Sequence, residues 1–186
     1  MRLFIALDMN AAVLKRLAEL QETLRQQTGL SGREVKWVRS EQMHLTLKFL
    51  GPVTDSAVPQ VCTMAQEIAN RHSAFELSCG GVGTFGRPAR VVWAGAESQT
   101  LMTLQQQLDE RFTQAGWAAE NRPFSAHLTL CRIKTARAGR ALAEAIAPFE
   151  QDIFGSVWVE EIVVYESRLD AAGPTYNAVS RSPLRQ

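Results

Sequence analysis

No apolar run in the chain approaches the roughly 20 residues that a membrane-spanning helix needs, although 46% of its 186 residues are hydrophobic. The opening run in MRLFIALDMN stops at Asp8. That is too short for a signal peptide, and no small-residue cleavage site follows it. Cysteine is scarce: Cys62, Cys79 and Cys131 are an odd set with no close pairing motif. A disulfide scaffold is excluded on that basis, and free thiols in a reducing cytosol are expected. Charge of one sign is also missing, since 20 Lys and Arg stand against 19 Asp and Glu, a net +1. A protein that grips long duplex nucleic acid through many phosphates is usually more basic. A short nucleic-acid end stays open as a substrate, because one phosphate needs only a local cluster of donors. No G-x-x-x-x-G-K-[ST] loop occurs, so nothing points to a P-loop nucleotide site. No low-complexity segment or Gly/Ser linker divides the chain. These absences leave a soluble, cytoplasmic protein with no membrane partner, long enough to bury its own core as one domain over residues 1–186.

What is present is a mixture of two periodicities. Residues 3–7 read as a buried strand, and Asp8 and Asn10 offer N-cap side chains for a helix over 11–27, where Val13, Leu14, Leu17, Leu20 and Leu24 recur at helical steps. Strands are predicted over 35–38 and 44–50, the latter closed by Gly51-Pro52, and a helix over 57–71. Residues 75–85 look extended, and the glycines crowded there (Gly80, Gly81, Gly83, with Gly86 following) imply a bend or bulge. Further strands are expected at 90–94, 124–133, 157–166 and 175–182, with helices at 99–115 and 138–147. Long helices between strands argue for an α+β protein built from two similar halves, as adjacent lobes of one domain.

The halves share a tetrapeptide. His44-Leu45-Thr46-Leu47 returns as His127-Leu128-Thr129-Leu130, 83 residues later, and the chain has only three histidines. A single copy would mean little, because a lone strand histidine usually has a structural role. Two copies in corresponding places of two halves are different, since duplicated lobes would face one another across a cleft. Side chains at i and i+2 of a strand share a face. His44 and Thr46 therefore share one face and His127 and Thr129 another, with the leucines turned to the core.

Two imidazoles suit general acid–base chemistry near neutral pH, one removing a proton while the other donates one. The hydroxyls of Thr46 and Thr129 suit hydrogen bonds to non-bridging phosphate oxygens. The set fits in-line displacement at phosphorus. A zinc site would need a third protein ligand, and no spaced Cys or carboxylate cluster accompanies either motif, so no metal is assigned. The residues alone leave open which histidine is acid and which is base.

The paired H-h-T-h motifs, where h is hydrophobic, resemble the signature of the 2H phosphoesterase superfamily. MRLFIALD at 1–8, Trp37-Val38 before HLTLKFLG at 44–51, RVVW at 90–93, and NRPF at 121–124 before HLTLCR at 127–132 narrow the likeness. They resemble the bacterial RNA 2′,3′-cyclic phosphodiesterase family, also called 2′-5′ RNA ligases, from near residue 1 to about residue 183. Ala126 stands where many members carry proline. The resemblance implies a bilobal fold: two pseudo-symmetric lobes with antiparallel sheets around a central cleft and helices on the outside. It implies hydrolysis of an RNA terminal 2′,3′-cyclic phosphate to a 2′-phosphate without metal or other cofactor. It makes His127 the general base for water and His44 the acid that protonates the departing 3′-oxygen. It also implies Arg132 as a phosphate contact, RNA ends such as those of tRNA halves as partners, and a monomer. In reverse, a 5′-hydroxyl in place of water would form a 2′-5′ linkage.

Arg132 lies at an odd offset from His127, so a bulge or strand end must turn it into the cleft. Phe4 is a candidate to stack on a base at the cleft floor, against a plain core role. Trp37 and Trp93 read as packing residues and His72 as a surface residue. Arg87 and Arg90 either add positive potential near the cleft or are ordinary loop charges. Two other functions compete with the leading one. A 2H phosphoesterase could act on a small cyclic nucleotide or ADP-ribose cyclic phosphate. A non-catalytic RNA-end-binding module is the other, and retention of both His-Thr pairs speaks against it.

Overall fold

A computed structural model of the protein describes residues 1–170 and 173–186. Helical spacing produces the expected helices. In α1 (Ala11–Thr28), Val13, Leu17, Leu20 and Leu24 are buried along one stripe. Its N-cap is Asn10, whose Oδ1 accepts from the Val13 N–H at 2.9 Å. Asp8, the other candidate cap, instead ends strand β1 (Arg2–Asp8). The left-handed backbone of Gly29, φ 60°, closes α1 and lets its N–H reach the Arg25 carbonyl. The same amphipathic logic gives α2 (Val58–Ala69), α3 (Gln99–Gln114) and α4 (Ala136–Ala145).

Among the described residues the other strands are β2 (Val35–Trp37), β3 (His44–Pro52), β4 (Phe75–Phe85), β5 (Val91–Glu97), β6 (His127–Ile133), β7 (Ile153–Val159), β8 (Glu161–Asp170) and β9 (Gly173–Pro183). They form one antiparallel ladder in the order β7-β4-β5-β6-β3-β1-β8-β9, with β2 also paired to β6. The two halves are β3-β1-β8-β9 and β6-β5-β4-β7. They meet at one residue pair, Leu45 opposite Leu128.

One expected strand is two. The stretch over 157–166 breaks at Glu160 because its ends serve different halves. β7 pairs with β4, and β8 pairs with β1. Residues 75–159 supply β4, β5, β6 and β7 in one run, whereas the half built on β1 and β3 takes β8 and β9 from the far end of the chain. The predicted bulge in the glycine-rich strand is present, as a register shift between Cys79 and Val82. Gly83 has a separate reason: a Cβ there would lie 2.3 Å from the Trp93 ring.

The duplication goes deeper than the tetrapeptide. In β3 the register against β1 skips Leu47, and in β6 the register against β5 skips Leu130. Both HLTL strands therefore bulge at the same motif position. A bulge leaves ladder groups without a strand partner, and a buried glutamine reaches each bulged carbonyl. Gln21 of α1 donates to the Leu130 carbonyl at 2.7 Å, and Gln105 of α3 donates to the Leu47 carbonyl at 3.4 Å.

After each bulge the chain carries one extra inward-turned residue. In β6 it is Cys131, fully buried. In β3 it is Lys48, 6% exposed, whose ammonium meets Asp109 of α3 at 2.5 Å and the Ala118 carbonyl at 3.0 Å. Asp109 also accepts from the Glu120 N–H. A buried cation thereby fastens the loop that leads to β6. No helix of the described residues is long and apolar enough to cross a membrane.

Removing one partner of a buried ion pair strands the other. Lys48→Ala should therefore lower unfolding free energy by about 3 kcal/mol in urea denaturation. The Lys48→Met/Asp109→Leu double variant, which removes both charges, should regain most of that loss. A loss below about 1 kcal/mol for Lys48→Ala would mean that the pair does not hold the loop.

Candidate active site

The single seam pair sets the site. Leu45 and Leu128 both point into the core and are fully buried. Alternation turns their neighbours to the opposite face. An antiparallel pair centred on these leucines places His44 across from Thr129 and Thr46 across from His127. The two motifs are thereby brought together at the seam.

The rings are oriented in the same way. Nδ1 of His44 lies 2.8 Å from the Gln42 carbonyl, and Nδ1 of His127 lies 2.7 Å from the Ser125 carbonyl. A carbonyl only accepts, so Nδ1 carries a hydrogen in both rings and Nε2 is left for chemistry. Neither Nε2, nor the hydroxyl of Thr46 or Thr129, bonds to another described residue. Four groups able to exchange protons or hydrogen bonds with a ligand thus share one face.

The bulges carry the charge. Because Leu130 is the extra residue of β6, Cys131 stays in the core and Arg132 returns to the open face beside the motif. Its guanidinium acts electrostatically on both His44 and Tyr176. The equivalent position in β3 is Phe49, 68% exposed.

The surroundings of the two histidines differ. His44 sits in an aromatic box. Phe4 stacks on it at 4.7 Å between centroids, and Tyr176 meets it edge-on at 5.0 Å. Tyr165 stacks on Phe4 at 5.4 Å. Phe4 is only 3% exposed, packed between the His44 and Tyr165 rings. His127 meets the edge of Phe85 at 4.9 Å. Trp93, opposite Thr129, packs on Phe85 and Gly83 as a packing residue would.

Asp8 lies directly opposite His44 in the ladder, whereas Gly95 lies opposite His127. Of these two ladder partners, that of His44 carries a carboxylate and that of His127 has no side chain. Asp8 accepts from the Tyr165 hydroxyl at 2.6 Å and pairs with Arg181, which also pairs with Glu161. Burial and the hydrogen bond to Asp8 raise the Tyr165 pKa, so the phenol remains a donor. Burial is the largest influence on His44 and lowers its pKa. The Gln42 carbonyl and Asp8 push it up, and Arg132 pushes it down.

Among the described residues no three His, Cys, Asp or Glu side chains come together as a metal-binding group. His72, read as a surface residue, is buried at 8% exposure and bonds Gln107 at 3.1 Å, away from the site. Strand and helix patterning does not single out Tyr165 and Tyr176 as site residues. They are the only tyrosines, both in the β8–β9 hairpin, and that concentration is the signal the sequence offers for them. Asp8 reads locally as a helix cap, and its place at the site comes from the pairing of β1 with β3.

A family model described as LigT like phosphoesterase matches residues 7–93 and 95–176. The chain belongs to that family. Curated relatives of this LigT-like phosphoesterase include the RNA 2′,3′-cyclic phosphodiesterase of Methanothermobacter thermautotrophicus, 34% identical over 94% of this chain and 94% of that protein. The protein of the same name from Thermotoga maritima is 32% identical over 96% and 93%. Solved structures with the same LigT-like fold include a Thermus thermophilus protein, at TM-score 0.83 and 28% identity, covering 100% of this chain and 98% of that one. E. coli LigT complexed with 3′-AMP aligns at TM-score 0.81 and 26% identity, covering 100% and 98%.

The lowered His44 pKa has a definite sign for stability. Folding favours the neutral ring, so this contribution is present above the unfolded value of about 6.5 and is lost as pH falls through the folded value. An NMR titration should place His44 below the ordinary imidazole range. Asp8→Asn should lower it further, and Arg132→Ala should raise it. No change in either variant would mean that neither charge reaches the ring.

Proposed function

We propose that this LigT-like phosphoesterase hydrolyses the 2′,3′-cyclic phosphate at an RNA end to a 2′-phosphate, with His127 as general base and His44 as general acid. The observation that carries the reading is the pairing across the seam: two imidazoles with free Nε2 atoms flank two unbonded threonine hydroxyls beside an arginine. The phosphate rests between Thr46, Thr129 and Arg132, which take up charge as it builds on the non-bridging oxygens. His127 removes a proton from water, whose oxygen attacks phosphorus. The bond from phosphorus to the 3′-oxygen breaks, and His44 gives that oxygen its proton. The relatives named RNA 2′,3′-cyclic phosphodiesterase support the substrate. A LigT structure complexed with 3′-AMP supports a nucleotide ligand.

The unequal surroundings of the histidines support the roles. An acid must hold a proton before the reaction, and the Asp8 carboxylate favours that form of His44. Burial opposes it in the free protein, and an anionic phosphate beside the ring would reverse the balance. The alkaline limb of the pH profile, set by His44, should therefore lie higher for kcat than for kcat/KM, since kcat reports the bound complex. Coincident limbs would sink the role given to His44. The Asp8 contribution does not require a metal, and turnover is expected to persist in excess chelator. Replacement of water by a 5′-hydroxyl would run the chemistry backwards to a 2′-5′ linkage.

The direct test is hydrolysis of an oligonucleotide ending in a 2′,3′-cyclic phosphate, with the product position determined. His44→Ala and His127→Ala should each cost on the order of 10²- to 10⁴-fold in kcat. The double variant should cost far less than the product of the two, because the pair works as a unit. A 3′-phosphate product would reverse the leaving-group assignment, and near wild-type turnover in either single variant would reject the mechanism.

A further inference from the structure

A groove on the same lobe as His127 is unused by this chemistry. Where the turn between β4 and β5 meets α4, an open groove of about 530 Å³ is lined by Thr84, Phe85, Gly86, Arg87, Ala89 and Arg140, among others. It is continuous with the active site through Phe85, whose ring both lines the groove and contacts His127 at 4.9 Å. Helix and turn are held close by Gly139. A Cβ there would lie 2.6 Å from the Ala89 carbonyl oxygen. That approach fixes Arg140, the next residue on α4, beside Arg87.

The charges of this groove are unspent. Among the described residues Arg87 and Arg140 in the lining, and Arg90 beside Gly86, form no ion pair, and all three are exposed. On the His44 side Arg181 is paired with Asp8 and Glu161, and Arg168 with Glu166. Arg132 lies opposite Val91, the residue after Arg90. Unpaired guanidinium groups thus lead away from the phosphorus site past the Phe85 ring. A basic track with an aromatic at its mouth suits a single-stranded polynucleotide.

We propose that this groove holds the phosphodiester backbone of the RNA strand that leads into the reacting end, with Arg87 and Arg140 on its phosphates. The proposal rests on the reading of the site as one for RNA ends, and it deepens that reading. The protein would prefer a strand to a mononucleotide. The preference would come from charge, through Arg87 and Arg140.

The test has two arms. In the first, binding of a fluorescent single-stranded RNA hexamer ending in a 2′-phosphate is measured by anisotropy. Arg87→Ala/Arg140→Ala should weaken binding at least fivefold. It should also flatten the dependence of log affinity on log salt by about 0.7 for each phosphate no longer neutralised. Lys15→Ala/Arg71→Ala, which removes the same charge from α1 and from the turn after α2, should change binding less than twofold. Unchanged hexamer affinity in the groove variant, or an equal loss in this control, overturns the proposal. In the second arm, kcat/KM is compared for the cyclic-ended hexamer and for 2′,3′-cyclic AMP, which has no strand to reach the groove. The groove variant should lose the hexamer's advantage, and a retained advantage overturns the proposal. Absence of turnover on both substrates would sink the proposed reaction, while the binding arm still decides the groove.

Discussion

The site depends on one antiparallel contact, Leu45 against Leu128. Both leucines are buried, and burial of each contributes roughly 2 kcal/mol. A slip of either strand by one residue would expose its two leucines and drive its histidine and threonine into the core. Register is therefore set by hydrophobic burial, and the face that carries the two histidines and threonines follows from it without a separate constraint. The bulges then act on what lies beyond. By adding one residue after each motif they keep Leu47, Lys48, Leu130 and Cys131 inward and return Phe49 and Arg132 to the open face. Gln21 and Gln105 reach the bulged carbonyls from behind.

A symmetric frame carries unequal chemistry. The two rings share their carbonyl partner two residues back and their free Nε2. They differ in what surrounds them. His44 has Asp8 opposite, aromatic rings around it and Arg132 near it, whereas His127 has Gly95 opposite and one aromatic edge. An acid and a base need different environments even when they are the same residue type. Here the difference comes from residues outside the repeated motif. The crossing at Glu160 contributes to it, because β8 brings Tyr165 and β9 brings Tyr176 to the first half alone.

Much of this is legible in the sequence, for identifiable reasons. Helices follow from apolar spacing, and the shared face of His44 and Thr46 follows from strand alternation. The need for a bulge or a strand end before Arg132 follows from its odd offset. The residues that escape are those whose roles depend on distant pairing. Asp8 carries the local signature of a helix cap, and only its place opposite His44 gives it another role. Tyr165 and Tyr176 are ordinary strand residues until β8 is known to lie beside β1. Residues 157–166 alternate as one strand, and nothing local shows that the two ends belong to different halves. Lys48 and the paired glutamines look like surface polar residues, although Gln21 and Gln105 fall on the apolar stripes of their helices, a signal that is there to be read.

The central claim is that two equivalent histidines act on one phosphorus from opposite sides. The most direct measurement is a crystal structure with a nucleoside 2′,3′-cyclic vanadate, which adopts the five-coordinate geometry of in-line displacement. His127 Nε2 and His44 Nε2 should lie within hydrogen-bond distance of opposite apical oxygens, with Thr46, Thr129 and Arg132 on the equatorial ones. Both imidazoles on the same side of vanadium, or either one without contact to an apical oxygen, would contradict it.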